Sequence, residues 1–249
     1  MTKYTTKKVF EKTFSSNIWK IEVDSVSSLI AVETRDLDTT LAEFHVFDLQ
    51  GNCILSSYSA QEREWTLDSI QNGHLILKKI GENVPIQEGI QIICIQNKQI
   101  ILTSYDYVLI DVYQDVIHAR HRNISAGATV EINILTGSMV PAKDQEFQFA
   151  LNKIQFPIAY QKVPEFLKPE SIIEPLWVSK CGPHYLWCYH KEIDEKFNVI
   201  FTLSDLNQIL DSKVILQGME KMIPQPYFQI EQQFFLMSYN KRKIISYLV

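Results

Sequence analysis

Two short stretches gather side chains whose types and spacing could do chemistry. His118-Ala119-Arg120-His121-Arg122 is the densest basic cluster in the chain. Strand alternation would put His118, Arg120 and Arg122 on one face and His121 on the other. Guanidinium groups fixed in this way suit a polar or anionic small ligand. The plainer reading is a charged strand end paired with nearby acids such as Asp115. The second stretch runs from Cys181 to His190 and would place His184, Cys188 and His190 on one side of a strand. Residues two apart on a strand can share a metal, but neither paired CxxC units nor zinc-finger spacing is present. No metal and no cofactor is therefore expected. His184, Cys188 and His190 stand as the only metal candidates; otherwise Cys188 is core and the histidines are strand-edge residues.

The acids offer a third possibility. Glu33 and Asp36, with Glu22 and Asp24 just before them, form a compact acidic group. Paired carboxylates can serve as acid and base on a glycosidic bond; solvated strand ends account for them more simply. Aligning the apolar runs that read as second strands gives a column of Glu33, Lys79, Arg120, Tyr189 and Ser238. Arg35, Gly81, Arg122 and Lys191 lie two positions on. Either the strands become polar where they leave the core, or these ends converge on one face and line a pocket. The candidate ligand-binding residues are thus Glu33, Arg35, Lys79, His118, Arg120, Arg122 and Tyr189. No residue is assigned as catalytic, because no Ser-His-Asp set, phosphate-cradling glycine loop or GxSxG elbow occurs.

The elements that must position these side chains read as short strands. Trp19 to Leu55 divides into four of them, separated by polar turns. Asn17–Asp24, Leu29–Arg35, Leu41–Leu49 and Cys53–Ser57 are rich in Val, Ile, Phe and Leu and bounded by Asp, Asn, Ser and Gly. A second copy opens at Trp65, a third at Tyr107, a fourth near Leu176, and a fifth of three strands ends the chain. Four-stranded repeats with a period in the forties are the signature of a β-propeller. The expected fold is all-β and β-propeller-like, with about five four-stranded blades. A strand at Thr6–Lys12 would complete the last blade and remove open edges. A two-sheet β-sandwich or a β-solenoid is the alternative. The eight glycines fall below the usual ~7%, so the turns must rely on Asn, Asp, Ser and Gln. Trp19, Trp65, Tyr107 and Trp177 recur at first-strand positions; packing between blades is the expected role, with a carbohydrate platform as the alternative. The whole of 1–249 reads as one repeat domain with an irregular insertion at about 141–175, where a strand pair or a short helix around Phe149 to Lys153 would fit.

The unit FHVFDLQGNCIL, Phe44 to Leu55, resembles the quinoprotein-like and WD-like β-propellers, in which an aliphatic-Asp strand end leads into a glycine-containing turn. The resemblance covers the first copy well and later copies in part. The tryptophan-aspartate and kelch signatures are absent, so the resemblance implies architecture and carries no catalytic residues.

Composition bounds the partners. The 249 residues are 46% apolar and 21% charged, as in ordinary globular chains. A net charge of −5 gives no electrostatic reason to expect nucleic acid. No apolar run approaches the length of a membrane span, and the N-terminus does not read as a secretory signal. A cytoplasmic monomer is expected, with Cys53, Cys94, Cys181 and Cys188 as free thiols. The functional expectation is a non-catalytic protein that binds a small polar ligand or a protein partner on one face. A hydrolase or lyase acting on a polar or sugar substrate is the alternative, so enzymatic activity is left open.

Overall fold

The computed structural model describes residues 5–81, 87–124, 129–142 and 154–249. Strand β1 (Lys7–Thr13) comes first. Three antiparallel meanders follow. They are β2 (Asn17–Asp24), β3 (Leu29–Arg35), β4 (Ala42–Asp48) and β5 (Cys53–Ser59); β6 (Trp65–Gln71), β7 (His74–Ile80), β8 (Gln87–Cys94) and β9 (Ile100–Ser104); and β10 (Tyr107–Val112), β11 (Val116–His121), β12 (Thr129–Asn133) and β13 (Met139–Pro141). The strands β14 (Ile154–Gln155) and β15 (Ile158–Tyr160) precede a 3₁₀ turn at Glu165–Leu167. The fourth meander is β16 (Ile173–Cys181), β17 (His184–Ile193), β18 (Lys196–Ser204) and β19 (Ile209–Met219), with β15 added beside β16. The last sheet contains β20 (Phe228–Ile230), β21 (Gln233–Met237) and β22 (Lys243–Leu248).

β1 completes that last sheet. It runs antiparallel to β22, with Lys7 opposite Leu248 and Thr13 opposite Lys243. β14 pairs with β20 at the other edge. The fold is therefore all-β and β-propeller-like, with five blade-like antiparallel sheets, three of four strands and two of five. The N-terminal strand sits where it was expected, and five successive meanders displace the sandwich and solenoid alternatives. The helix considered around Phe149 to Lys153 lies outside the described residues. The rest of that irregular stretch supplies β14, β15 and the 3₁₀ turn.

The chain forms two compact units, Phe14–Asn152 and Met1–Thr13 with Lys153–Val249. In the first, β7 shows why the strands read as continuous apolar runs. His74, Leu75, Ile76 and Leu77 are all buried. Leu75 and Leu77 pack with Phe44, Val46 and Leu55 of the preceding sheet, whereas Ile76 packs with Ile117 and Ile132 of the following one. A strand covered on both faces has no reason to alternate. In the second unit, Leu186, Cys188, Phe201 and Phe234 share one core, and Trp187, Tyr189 and Leu167 another.

The turns explain the few glycines. Asp24, Asp36, Asp48, Asn133 and Asp205 each accept two or more local hydrogen bonds, chiefly from the backbone N–H groups just after them. These Asx turns hold the backbone by side-chain acceptors. Positive φ then falls on non-glycine residues, including Ser28, Thr40, Lys98, Leu206 and Lys241. Gly89 has a separate role: a Cβ there would lie 2.9 Å from the Ser104 carbonyl and 3.3 Å from the Trp65 ring.

Candidate functional site

Register decides which of the expected residues share a face. In each of the first four sheets, the pair that precedes the turn between the third and fourth strands can be used as an origin. Ile30 faces Phe47, Leu75 faces Ile93, Ile117 faces Ile132 and Tyr185 faces Ser204. Three residues on, the true column is Glu33, Lys78, Arg120 and Cys188. The next column is Thr34, Lys79, His121 and Tyr189. The expected column of Glu33, Lys79, Arg120 and Tyr189 therefore mixes two neighbouring columns, whose side chains point to opposite faces. Aligning by apolar runs slipped by one residue because strands buried on both faces carry no alternation to anchor them.

A different shift, a bulge, displaces Trp19 from its expected position. β2 has a bulge between Ile18, opposite Thr34, and Lys20, opposite Glu33, so Trp19 is the extra residue. Trp19 is 68% exposed. Ile18 is buried instead and holds the position that Trp65 and Tyr107 hold in the next two sheets, opposite Thr34, Lys79 and His121. The bulge has thus turned one large ring outward, as bulges do. Trp65 and Trp177 are buried, as packing between sheets requires.

Within the first unit, the junction of β2–β3 with β6 collects the charged side chains. β6 begins a sheet, so the backbone groups on its outer edge need partners. Glu33 is completely buried and its two oxygens are shared out. One accepts a 2.7 Å bond from Arg35 Nε; the other accepts from Thr66 Oγ1 at 2.8 Å and the Leu67 N–H at 2.7 Å. Arg35 donates further to the carbonyls of Thr40, Arg63 and Trp65. Lys20 donates to the carbonyls of Leu67 and Asp68 and pairs with Glu22 at 3.0 Å. Burial pushes the Glu22 carboxyl above its ordinary range, against the pull of Lys20. Side chains of one sheet therefore cap the open edge of the next. Glu33 and Arg35 are occupied in doing so.

The other expected residues do not join them. Lys79 pairs with Glu62 and lies 5.2 Å from the Tyr105 ring centre. Hydrogen bonding to Glu62 raises the Lys79 ammonium above its ordinary value. Arg120 is exposed on β11, and Arg122 lies beyond the strand, its guanidinium 3.4 Å from the Tyr105 carbonyl. His118 is half-buried, with Nε2 enclosed and unbonded. No hydrogen bond or ion pair links Glu33 to Arg120 or Arg122 among the described residues.

In the second unit, Tyr189 is fully buried and its hydroxyl meets Thr202 Oγ1 at 3.0 Å, which in turn meets Ser212 Oγ at 3.0 Å. Burial pushes the phenol up to about 12. Cys188 lies in the apolar core, where burial holds its thiol well above the ordinary value. His190 packs edge-on to Trp177, and its Nε2 accepts the Ile223 N–H at 3.1 Å. His184 is half-buried at the start of β17. Among the described residues, no group of three or more His, Cys, Asp or Glu side chains is arranged to hold a metal.

Around Trp19 lies a shallow, accessible depression of about 330 Å³. The Arg35 guanidinium lies over one side of the ring, 5.5 Å from its centre. Arg63 and Glu64 stand at the rim, 2.9 Å apart, with Ile80 and Gly81 beside them. The hydrogen bond from Arg63 holds the Glu64 carboxyl below its ordinary value. An open aromatic face bordered by a guanidinium and a carboxylate can take an apolar surface and hydrogen-bond the groups around it. The sequence offered Trp19 as a carbohydrate platform only as the alternative to packing; the bulge is what turns its ring outward.

No family model matches the chain, and no curated protein matches it. Solved structures similar to it include the β-propeller domain of the Trilobed protease from Pyrococcus furiosus, with 12% identity, 93% of this chain and 79% of that chain covered, and a TM-score of 0.34. TolB from Acinetobacter baumannii has 12% identity over 94% of this chain and 55% of that chain, with a TM-score of 0.33. Oligogalacturonate lyase from Vibrio parahaemolyticus has 7% identity over 98% and 93%, with a TM-score of 0.32. At such identities and scores these likenesses carry no functional argument, and the propeller-like description rests on the sheets and their pairing.

Proposed function

We propose that the protein is a non-catalytic binding module that takes a small polar ligand, a saccharide, on the Trp19 face. The observation that carries this is the outward ring of Trp19, 68% exposed on a bulge and backed by Arg35. Sugar rings offer one face of C–H groups, which an indole can cover, and an edge of hydroxyls, which Arg63 and Glu64 can hydrogen-bond. A hydrolytic role for Glu33 lacks support, since an acid or base must reach its substrate and this carboxyl is enclosed and fully bonded.

Titration with neutral and acidic oligosaccharides, followed by tryptophan fluorescence and calorimetry, tests the reading. Saturable binding that Trp19→Ala weakens by roughly tenfold or more, with the thermal midpoint unchanged, is expected. No binding across the set, or binding indifferent to Trp19→Ala, overturns it. Turnover of any of these sugars would replace it with the hydrolase or lyase reading.

A further inference from the structure

The second unit contains a cleft of about 440 Å³, within the size range of small-molecule sites. Its apolar wall comes from Met222, Ile223 and Pro224, on the segment between β19 and β20, and from Met237 at the end of β21. Two hydrogen bonds anchor that segment: Ile223 N–H to His190 Nε2 at 3.1 Å, and Tyr227 hydroxyl to Ser179 Oγ at 2.8 Å. The opposite rim is the β21–β22 turn, closed by the Lys241 N–H on the Ser238 carbonyl at 2.9 Å and the Lys243 N–H on Ser238 Oγ at 3.0 Å. Tyr239 and Lys241 project from this turn and are both exposed. The cleft is thus framed by two fixed backbone segments and filled from one side by two adaptable thioethers.

Its charge is unlike that of the chain as a whole. The net charge of the protein is −5, yet the lining has one cation, Lys241, and no carboxylate. Among the described residues Lys241 has no salt bridge. Gln225 and Tyr239 add neutral hydrogen-bonding groups at the mouth. From this we infer a second binding site, specific for a small amphipathic carboxylate. Its hydrocarbon part lies against Met222, Ile223 and Met237, and its carboxylate is held by Lys241 through a charge-assisted hydrogen bond. This inference is independent of the saccharide reading, because it rests on other residues in the other unit.

The test uses the full chain with sodium octanoate, and octanamide as the uncharged counterpart, measured by calorimetry. Methyl NMR of labelled methionine locates the ligand, since the chain has only five methionines. Octanoate should bind saturably, more tightly than octanamide, and shift the Met222 and Met237 methyl signals. Lys241→Ala should weaken octanoate by roughly tenfold and leave octanamide unchanged. Met222→Asp, at an exposed position, should weaken both while the thermal midpoint stays near that of the wild type. Absence of saturable octanoate binding overturns the proposal. So does binding that moves other methionine signals, or that both variants leave unaltered.

Discussion

Glu33 and Cys188 occupy the same register position in two different sheets, and their surroundings are opposite. Glu33 on β3 reaches across to a neighbouring sheet and satisfies the open edge of β6. Cys188 on β17 sits in a largely apolar core among Trp177, Leu186 and Phe201. The adjacent column repeats the contrast. Lys79 leaves its strand to pair with Glu62, while Tyr189 keeps its hydroxyl within its own sheet, on Thr202. The repeat therefore preserves backbone geometry and lets the means of joining sheets vary: buried charge in one unit, rings and cysteine thiols in the other.

Breaking the charged junction should have the largest effect. Glu33→Ala leaves Arg35 with an uncompensated charge and strips the Leu67 N–H of its acceptor, at a cost of about 3–5 kcal/mol. Chemical denaturation would measure it; a loss under about 1 kcal/mol would show that the edge of β6 does not depend on Glu33.

Tyr189→Phe is the matching change in the other sheet. Thr202 keeps Ser212 as a partner, so the expected loss is about 1 kcal/mol at neutral pH. The pH dependence sharpens the comparison. The folded phenol, pushed up to about 12, stays protonated where an unfolded tyrosine ionises. That contribution is complete below the unfolded value of about 10 and disappears as pH rises toward 12. Unfolding followed from pH 9 to 12 should show a shallower decline in the Phe variant than in the wild type.

The smallest effect concerns the turns of the same two sheets. The β4–β5 turn puts Gly51 at φ 85°, whereas the β18–β19 turn puts Leu206 at φ 74° with its side chain exposed. A left-handed non-glycine residue costs about 1–2 kcal/mol, and glycine returns part of that through the freedom of the unfolded chain. Leu206→Gly should therefore stabilise by about 0.5 kcal/mol, read as a rise in thermal midpoint; a fall would mean that the leucine packs usefully.

Much of the scaffold was legible from residue type. The first four strands fall within a residue or two of their expected bounds, and Asp and Asn announced the turns that glycine did not supply. The pairing of the first strand with the last followed from a repeat one strand short. The candidate site was far less legible. A buried carboxylate such as Glu33 and an exposed indole such as Trp19 both invert the ordinary preference of their types. Each inversion depends on position in three dimensions: one on an open edge across a sheet junction, the other on a single extra residue in β2. A sequence read by apolar runs has no measure of either, and it slipped by one residue at the place where the faces had to be assigned.

The pairing of β1 with β22 has a consequence for synthesis. Glu11 and Lys243 form an ion pair across 232 positions of chain. At about 5–20 residues per second, the first strand leaves the ribosome roughly ten to fifty seconds before its partner exists. The unit Phe14–Asn152 draws on contiguous sequence and can assemble during that interval. The waiting strand, KKVFEKT, has three lysines and one glutamate among its seven residues. Charge on an unpaired strand discourages pairing with another chain, and Lys7, Lys8 and Lys12 supply that charge while the strand waits.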